Sequence, residues 1–420
     1  MLNDVNNQKL TYIDLFSGCG GLSLGLGKAG WQGILAVEKD PMAFATFEHN
    51  LIDSENSHFY WPTWLPKKET TIQELITTYS EELKSLKGKV DLIAGGPPCQ
   101  GFSLAGQRNE NDPRNKLSEE YIKMVKVISP KYLLLENVRG FNSSFKNKEN
   151  GKVKKPYSLI VKAKLEKLGY KVFHNFVCSA DFGVPQKRTR FIMIGIRKEL
   201  LSSQEDFDPF YKLIESREHF LSSKKLPLRY ITTEEAIGDL LIKNNGVKYH
   251  SGNELNGFKQ IDYKPSLIPT AYQDVMREGT NGLIPNSLRI ARHKESTIEK
   301  FKKIQKICKP GISLNDEMRA HIGTRKQAIT VLDASQPSRT LTTLPDDLLH
   351  YSEPRILTVR EMARIQSFPD SFRILGKYTT GGDRRTSECP RYTQIGNAVP
   401  PFLAEALGLL IKSIEDNYAN

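Results

Sequence analysis

Residues 11–28 read TYIDLFSGCGGLSLGLGK, a short apolar run that passes through a glycine-rich turn into a second apolar segment. The run Thr11–Phe16 is typical of a buried strand, and the segment after Gly21 is typical of a helix. Glycines in a strand-to-helix turn allow a nucleotide-like ligand to approach the backbone closely. The stretch therefore predicts the first strand, the first helix and a ligand-binding turn of an α/β domain.

Five more short apolar segments predict buried strands, and helix-like segments separate them. The predicted strands are Gly33–Val37, Val90–Ala94, Tyr132–Leu135, Lys171–Val177 and Phe191–Ile196. The segments with helical spacing include Met42–Asn50, Glu119–Ile128 and Ser158–Leu168. Such alternation is typical of a doubly wound α/β domain, in which ligands bind at the carboxyl ends of the strands.

The alternation is lost after Arg197, and helical spacing returns in Val359–Phe368 and Pro401–Ile411. A chain of 420 residues has room for two or three domains at roughly 150 residues each. We therefore expect residues 1–197 and 355–420 to form one domain, with the last helix packed on it. Residues 198–354 are expected to form a second, smaller domain.

The chain is basic, with 60 Lys and Arg against 48 Asp and Glu and a net charge of +12. Residues 289–326 alone contain eleven Lys or Arg and four Asp or Glu. This surplus suits a polyanionic partner such as nucleic acid, although a basic enzyme without such a partner can have the same composition.

The five cysteines contain no CxxC pair, which argues against a zinc site and a disulfide framework. We accordingly expect no metal and a reducing, cytoplasmic location. The first ten residues lack the apolar core of a signal peptide, and no apolar run approaches the roughly 18 residues of a membrane helix.

The glycine-rich turn meets neither of two common phosphate-binding motifs. The dinucleotide motif GxGxxG needs glycine where Ser23 stands, and the P-loop motif is not matched around Lys28. Glu38 closes the second predicted strand, where a carboxylate can accept hydrogen bonds from both hydroxyls of a ribose. The combination favours an adenosine cofactor without pyrophosphate, such as S-adenosylmethionine, although a plain structural turn with a surface glutamate gives the same pattern.

The segment Asp91–Ser103, DLIAGGPPCQGFS, predicts a buried strand that opens into a Pro-Pro-Cys turn. Most lone cysteines are inert core residues, but this turn would present Cys99 to the ligand crevice. A thiolate that adds to C6 of cytosine makes C5 nucleophilic toward a methyl donor. Glu136, at the end of the next strand, could supply the proton to N3, and Arg188 and Arg190 could offset developing charge or form an ordinary surface pair.

In order, these motifs resemble those of bacterial C5-cytosine DNA methyltransferases. The resemblance rests on DLFSGCGG, GGPPCQGFS, ENV, QKRTR, LTVREMARIQSFPDSF and QIGNAVPP, and it covers residues 11–197 and 355–411. It implies a Rossmann-like S-adenosylmethionine-dependent methyltransferase domain and a smaller target-recognition domain at residues 198–354. The implied reaction is methylation of C5 of a cytosine flipped out of double-stranded DNA.

The resemblance also implies individual roles. Cys99 is expected to be the nucleophile, Glu136 to hold and protonate the base, and Arg190, helped by Arg188, to steady the intermediate. The expected cofactor-binding residues are Phe16, Gly18, Cys19, Gly20, Leu22, Glu38, Pro98, Leu117, Asn397, Ala398 and Val399. The family's acidic contact to the adenine has no clean match in residues 51–74 and stays unassigned.

Two parts of the chain are expected to contact DNA. Residues 100–116 are rich in Gly, Asn, Arg and Asp, which predicts a mobile loop that closes on the duplex. The candidates in this loop are Gln100, Ser103, Arg108 and Arg114. In the second domain, the candidates for guanine contacts are Arg289, Arg292, Arg319 and Arg325.

By family analogy, the enzyme is expected to act as a monomer on DNA and to protect a short sequence from a partner restriction endonuclease. Two other functions stay open at this point. A tRNA cytosine-5 methyltransferase can use the same motifs, although the insert of roughly 150 residues favours a reader of duplex DNA. A catalytically silent DNA-binding regulator would not need the intact Cys99 and Glu136.

Overall fold

The computed structural model describes residues 9–98, 117–146, 153–201, 207–249, 257–381, 384 and 387–418. The chain forms two compact units. The first unit comprises Met1–Cys178, Thr189–Arg217 and Leu403–Asn420, and the second comprises Ser179–Arg188 and Glu218–Phe402.

The regular elements follow the chain in two series. The strands are β1 (Thr11–Leu15), β2 (Gln32–Val37), β3 (Leu92–Gly95), β4 (Tyr132–Asn137), β5 (Phe145–Lys146), β6 (Val153–Lys154), β7 (Tyr170–Cys178), β8 (Gln186–Lys187), β9 (Thr189–Arg197), β10 (Val247–Tyr249), β11 (Lys259–Ile261), β12 (Thr330–Val331), β13 (Ser338–Arg339) and β14 (Leu348–Leu349). The α-helices are α1 (Gly21–Lys28), α2 (Pro41–Phe47), α3 (Ile72–Thr78), α4 (Ser80–Ser85), α5 (Leu117–Ile128), α6 (Tyr157–Lys167), α7 (Pro209–Glu215), α8 (Arg217–Ser223), α9 (Thr233–Ile237), α10 (Ile242–Asn245), α11 (Ala271–Arg277), α12 (Glu295–Ile307), α13 (Asp316–Ile322), α14 (Val359–Ile365), α15 (Arg391–Asn397) and α16 (Pro401–Tyr418).

A six-stranded sheet organises the first unit, in the order β2-β1-β3-β4-β9-β7. Strands β2, β1, β3 and β4 are parallel, whereas β9 runs antiparallel to both β4 and β7. All six strands predicted from the sequence are present, and the α/β fold class is confirmed. Because β9 is antiparallel, its first residues lie beside the last residues of β4, with Phe191 opposite Asn137.

One face of this sheet carries the main hydrophobic core of the first unit. Buried residues of the strands, such as Ile13 and Leu133, pack with Leu75 of α3, Met124 of α5 and Leu165 of α6. Full burial of such a side chain stabilises the fold by about 1.5–3 kcal/mol relative to exposure. The core therefore fixes the strand ends from which the ligand-facing residues project.

The C-terminal helix α16 returns to the first unit, as the sequence predicts. The indole Nε1 of Trp31 donates to the Gly408 carbonyl oxygen at 2.9 Å. Glu415 accepts from Lys131 Nζ and from the Tyr132 hydroxyl, each at 2.5 Å. These contacts anchor the helix at two points along its length.

The helical stretch Arg391–Asp416 meets the length and composition of a membrane-crossing segment, contrary to our expectation that no stretch would approach this length. However, 83% of its most apolar window is buried inside the protein. The stretch is apolar because it forms part of the core.

The second unit is built largely from short helices and two-stranded pairs, and it includes residues 355–402. These compact units divide the chain differently from the predicted domains, and the predicted boundary at 354/355 stays a prediction. Helix α14 shows the reason, because three of its side chains, Arg360, Glu361 and Arg364, are fully buried and bonded within this unit.

The buried charges of α14 are paired. Arg364 contacts Asp239 at 2.5 Å and Asp370 at 2.7 Å, while Arg355 holds Glu361 through two hydrogen bonds of 2.7 Å. Burial would raise the pKa of Asp239, but Arg364 holds this pKa below its ordinary value. The pairs tie residues 355–370 to residues upstream in the same unit.

Replacement of Arg364 by Leu should destabilise the second unit, because it removes the fully buried cation that the buried carboxylates of Asp239 and Asp370 share. We expect a loss of about 3–5 kcal/mol in the free energy of unfolding, measured by urea titration. The control is Arg229→Gln, which breaks an exposed pair with Glu235 and should cost less than about 1 kcal/mol. Equal losses in the two variants would contradict this account.

Candidate active site

The glycine-rich turn after β1 brings the predicted ribose-binding carboxylate to its backbone. Gly18 N–H donates to one oxygen of Glu38 at 2.9 Å, and Asp40 N–H donates to the other at 2.8 Å. Burial raises the pKa of Glu38. Each carboxylate oxygen has a further lone pair, so Glu38 can accept additional hydrogen bonds from a ligand.

The turn itself is held in an unusual backbone conformation. Phe16 has φ of 62°, and Gly18 and Gly20 have φ of 56° and 97°. Left-handed conformation at a non-glycine residue is strained and tends to occur at binding sites. A Cβ atom on Gly20 would lie 2.5 Å from Leu51 Cδ1, so this position has no room for a side chain.

Two predicted cofactor-binding residues of the turn have their side chains in the core. Cys19 is 1% exposed and Leu22 is 4% exposed. Burial raises the pKa of the Cys19 thiol to about 12, so this cysteine stays protonated at neutral pH. A ligand in the turn would therefore meet the backbone of these residues.

The predicted catalytic pair Glu136 and Arg190 is brought together at the edge formed by β4 and β9. Arg190 Nε lies 2.9 Å from Glu136 Oε1, and the side chains are 10% and 13% exposed. A Cβ atom on Gly96 would lie 3.1 Å from Glu136 Oε2. Glycine at position 96 therefore gives the carboxylate its space.

Asn137 is a positioning residue to which the sequence reasoning assigned no role. Its amide nitrogen donates to the Pro97 carbonyl oxygen at 3.2 Å, and its oxygen accepts from Val138 N–H at 2.9 Å. The side chain is 2% exposed. It fixes the start of the Pro-Pro turn relative to β4, and its place directly after Glu136 in ENV was the available signal.

Several predicted site residues lie outside the described residues. These are Cys99, Gln100, Ser103, Arg108 and Arg114. Pro98 and Leu117 border this segment, and both are partly exposed. Leu117 is the first residue of α5.

Arg188 has different contacts from Arg190, although the two are only one residue apart in QKRTR. Arg188 belongs to the second unit, where it is 3% exposed and donates to the carbonyl oxygens of Leu341 at 3.1 Å and Gly396 at 2.9 Å. The hydrogen bond to Gly396 holds the backbone directly before Asn397. The predicted catalytic help from Arg188 stays a prediction.

The C-terminal cofactor candidates lie at the end of α15 in the second unit. Asn397 is exposed, Ala398 is partly exposed and Val399 is 9% exposed. Gln366 supports this segment, because its side-chain amide donates to the carbonyl oxygens of Ile395 at 2.7 Å and Ala398 at 3.2 Å.

The four arginines predicted to contact DNA differ in their surroundings. Arg319 is paired with Asp316 and donates to the Leu314 carbonyl oxygen. Arg289 is stacked on aromatic rings, and Arg292 and Arg325 are exposed. Within the described ranges, no group of three His, Cys, Asp or Glu side chains could hold a metal ion.

Asp14 is a second residue to which the sequence reasoning gave no role. It is fully buried, its Oδ2 accepts from Ser23 Oγ at 2.6 Å, and its Oδ1 has no hydrogen-bond partner among the described residues. Burial raises its pKa to about 7. Its position in DLFSGCGG was visible in the sequence, but its complete burial was not.

Comparison with known proteins identifies the family. A family model described as C-5 cytosine-specific DNA methylase matches residues 10–413. The chain belongs to this family. It is a DNA cytosine-5-methyltransferase, as the sequence motifs predicted, and neither the tRNA enzyme nor the silent regulator is favoured.

Curated relatives include two type II methyltransferases. M.DdeI from Desulfomicrobium norvegicum is 34% identical over 95% of this chain and 87% of its own length. M1.HphI from Haemophilus parahaemolyticus is 31% identical over 97% of this chain and 88% of its own length.

Solved structures support the fold of the methyltransferase. One is described as a DNA modification methyltransferase encoded within an E. coli prophage, with a TM-score of 0.64 and 24% identity over 97% of this chain and 100% of the other. The S. pombe Dnmt2 methyltransferase has a TM-score of 0.51 and 14% identity over 98% and 99% of the two chains.

Substitution Gly96→Ala should slow DNA methylation, because the new methyl group would press on the Glu136 carboxylate. We expect the rate to fall roughly 10- to 100-fold, measured as initial methyl incorporation into DNA. The control is Gly381→Ala, because a Cβ atom at Gly381 would meet no atom of the described residues within 4 Å. A full rate in Gly96→Ala would show that the carboxylate position does not matter.

Substitution Asp14→Asn should stabilise the methyltransferase more at pH 8 than at pH 5. The folded-state pKa of about 7 lies above the unfolded value of about 3.9, so the folded protein retains a proton that the unfolded chain releases. This carboxyl therefore lowers stability as pH rises from about 4 to about 7, and asparagine removes the effect. The test compares the melting temperatures of the wild type and Asp14→Asn at pH 5 and at pH 8. An equal difference between the two proteins at both pH values would refute the prediction.

Proposed function

We propose that this methyltransferase acts through a transient bond between the Cys99 sulfur and C6 of a flipped-out cytosine. The observation that carries the proposal is the ion pair between Glu136 and Arg190 at the edge of the sheet. Asn137, the last residue of β4, donates a hydrogen bond to Pro97, which lies two residues before Cys99 in the sequence. An acid, a cation and the turn leading to the nucleophile thus share one region of the first unit.

The reaction needs a balanced movement of electrons and protons. The Cys99 thiolate adds to C6, and a proton from Glu136 to N3 directs electron density to C5. Arg190 orients the carboxylate and offsets charge that develops on the exocyclic oxygen. C5 would take the methyl group as the methyl–sulfur bond of the donor breaks. A base then removes the C5 proton, which restores the C5–C6 double bond and expels the Cys99 thiolate, and N3 returns its proton to Glu136.

We propose S-adenosylmethionine as the methyl donor. The residues at the glycine-rich turn fit an adenosine without pyrophosphate, because Glu38 has spare acceptor capacity and residues 14–26 contain no Lys or Arg. Gly18 and Glu38 would hold the ribose. When bound, the cofactor supplies an electrophilic methyl group. The remaining cofactor-binding residues expected from the sequence are part of this proposal.

We further propose that the second unit contains the target-recognition region and contacts double-stranded DNA. Its surplus of positive charge in residues 289–326 supports this role. The type II methyltransferase relatives support a restriction endonuclease as functional partner. The proposal includes a cytoplasmic location and action as a monomer on DNA. Light scattering of the protein–DNA complex would test the monomeric state.

Replacement of Cys99 by Ser should abolish methylation while DNA binding persists, because the hydroxyl is a far weaker nucleophile than the thiolate. A duplex with 5-fluorocytosine at the target should trap the wild-type protein as a stable adduct, because fluorine cannot leave C5 as a proton does. Denaturing gel electrophoresis and mass spectrometry detect the adduct. The control, Cys308→Ser, removes another free thiol and should still form it.

Bisulfite sequencing of modified DNA identifies the product and its sequence context together. We expect protected cytosines at one short recurring sequence, and no 5-methylcytosine in tRNA treated in parallel. Turnover by Cys99→Ser, or absence of a 5-fluorocytosine adduct with the wild type, would overturn the covalent mechanism.

A further inference from the structure

Arg289 lies in the second unit against two aromatic rings. Its guanidinium carbon is 3.8 Å from the centroid of the Tyr378 ring and 4.3 Å from that of Phe258. The backbone of Arg289 is paired with Gln260 of β11 by an antiparallel bridge. Ring stacking on a strand-like segment holds the planar guanidinium in a defined orientation.

Despite this fixed position, Arg289 makes no hydrogen bond or ion pair with the part of the chain that the structure describes, and its Nε is buried without an acceptor. Arg355 and Arg364 in the same unit are matched by carboxylates at 2.5–2.7 Å. Arg289 is partly exposed, so the accessible part of its guanidinium is free to bind an acceptor from outside the protein.

A second cation lies near the same tyrosine. The Arg391 guanidinium carbon is 4.3 Å from the Tyr378 centroid, and its nitrogens donate to the Gly376 carbonyl oxygen at 2.7 Å and to Ser287 Oγ at 3.2 Å. Arg391 is therefore held in place by the protein and adds positive charge beside Arg289. Like charges in this arrangement repel each other until an anion binds.

We propose that Arg289, held between Phe258 and Tyr378, binds a phosphodiester of the DNA backbone. This inference rests on the proposed role of the second unit in DNA binding. The guanidinium presents parallel N–H donors that match two phosphate oxygens. A phosphate carries the full negative charge that two neighbouring guanidiniums attract, whereas a guanine edge offers only uncharged acceptors.

The role of Arg289 consequently differs from the guanine contact expected from the sequence. A phosphate contact positions the protein on DNA of any sequence, and it releases a counterion when it forms. A guanine contact would instead act at one base pair of the recognition sequence. The two roles can be separated by experiment.

The test measures binding of Arg289→Gln to a cognate duplex and to duplexes with each single base-pair change, over about 50–200 mM salt. We expect the dissociation constant to rise roughly tenfold for every duplex, and the slope of log K against log salt to fall by about 1. Fluorescence anisotropy gives both quantities. The cytosine in the cognate duplex is left unmodified, and no cofactor is added.

Three variants serve as controls and as independent tests. Arg229→Gln removes the same charge from an arginine already neutralised by Glu235, and it should leave the salt slope unaltered. Tyr378→Phe retains the ring and should bind as the wild type does. Tyr378→Leu removes the ring and should weaken binding in the same way as Arg289→Gln, with circular dichroism confirming that the variant is folded.

Relaxed discrimination at one base pair in Arg289→Gln would overturn the phosphate assignment in favour of base reading. Unchanged affinity and salt slope for all duplexes would also overturn it. Either result leaves the proposed function intact if the wild type still methylates DNA. Failure of the wild type to bind or methylate any duplex would instead refute the proposed function.

Discussion

The antiparallel pairing of β9 with β4 is the constraint on which the candidate active site depends. It places Arg190, near the start of one strand, beside Glu136, near the end of the other, and the two side chains meet at 2.9 Å. In a parallel arrangement, the start of a strand lies at the opposite edge of the sheet from its neighbour's end. The antiparallel strand β9 therefore places the Arg190 guanidinium at the edge where the parallel strands present their ligand-facing residues.

The surroundings of this pair keep it in place. Gly96 leaves room for the carboxylate, and Asn137 ties the Pro-Pro turn to the end of β4. The groups that position Glu136 and the Pro-Pro turn are mostly backbone atoms and the buried amide of Asn137, which have little freedom to move. This arrangement suits catalysis, because groups already in position need little reorganisation when the base enters.

Arginine serves three different purposes in this protein. Arg355 and Arg364 are buried and matched by carboxylates, so they stabilise the packing around α14. Arg188 holds backbone carbonyl oxygens, and Arg190 orients a carboxylate. Arg289 is stacked on rings and has no matching acid among the described residues. The partner of each guanidinium, rather than the residue type, distinguishes structural arginines from ligand-binding ones.

The sequence by itself determined the six strands, the final helix and the glycine-rich turn, because these depend on local periodicity and on motifs at strand ends. It also offered Glu38, Glu136 and Arg190 as candidate site residues. The tertiary structure alone decided that residues 355–402 belong to the second unit, that Asp14 is buried, and that Arg188 and Arg190 have different partners. These features depend on which distant segments pack together, and local sequence patterns carry little information about such contacts. Charge counting placed Arg289 in a basic segment. Only the fold brought the Phe258 and Tyr378 rings against its guanidinium and left its Nε without an acceptor among the described residues.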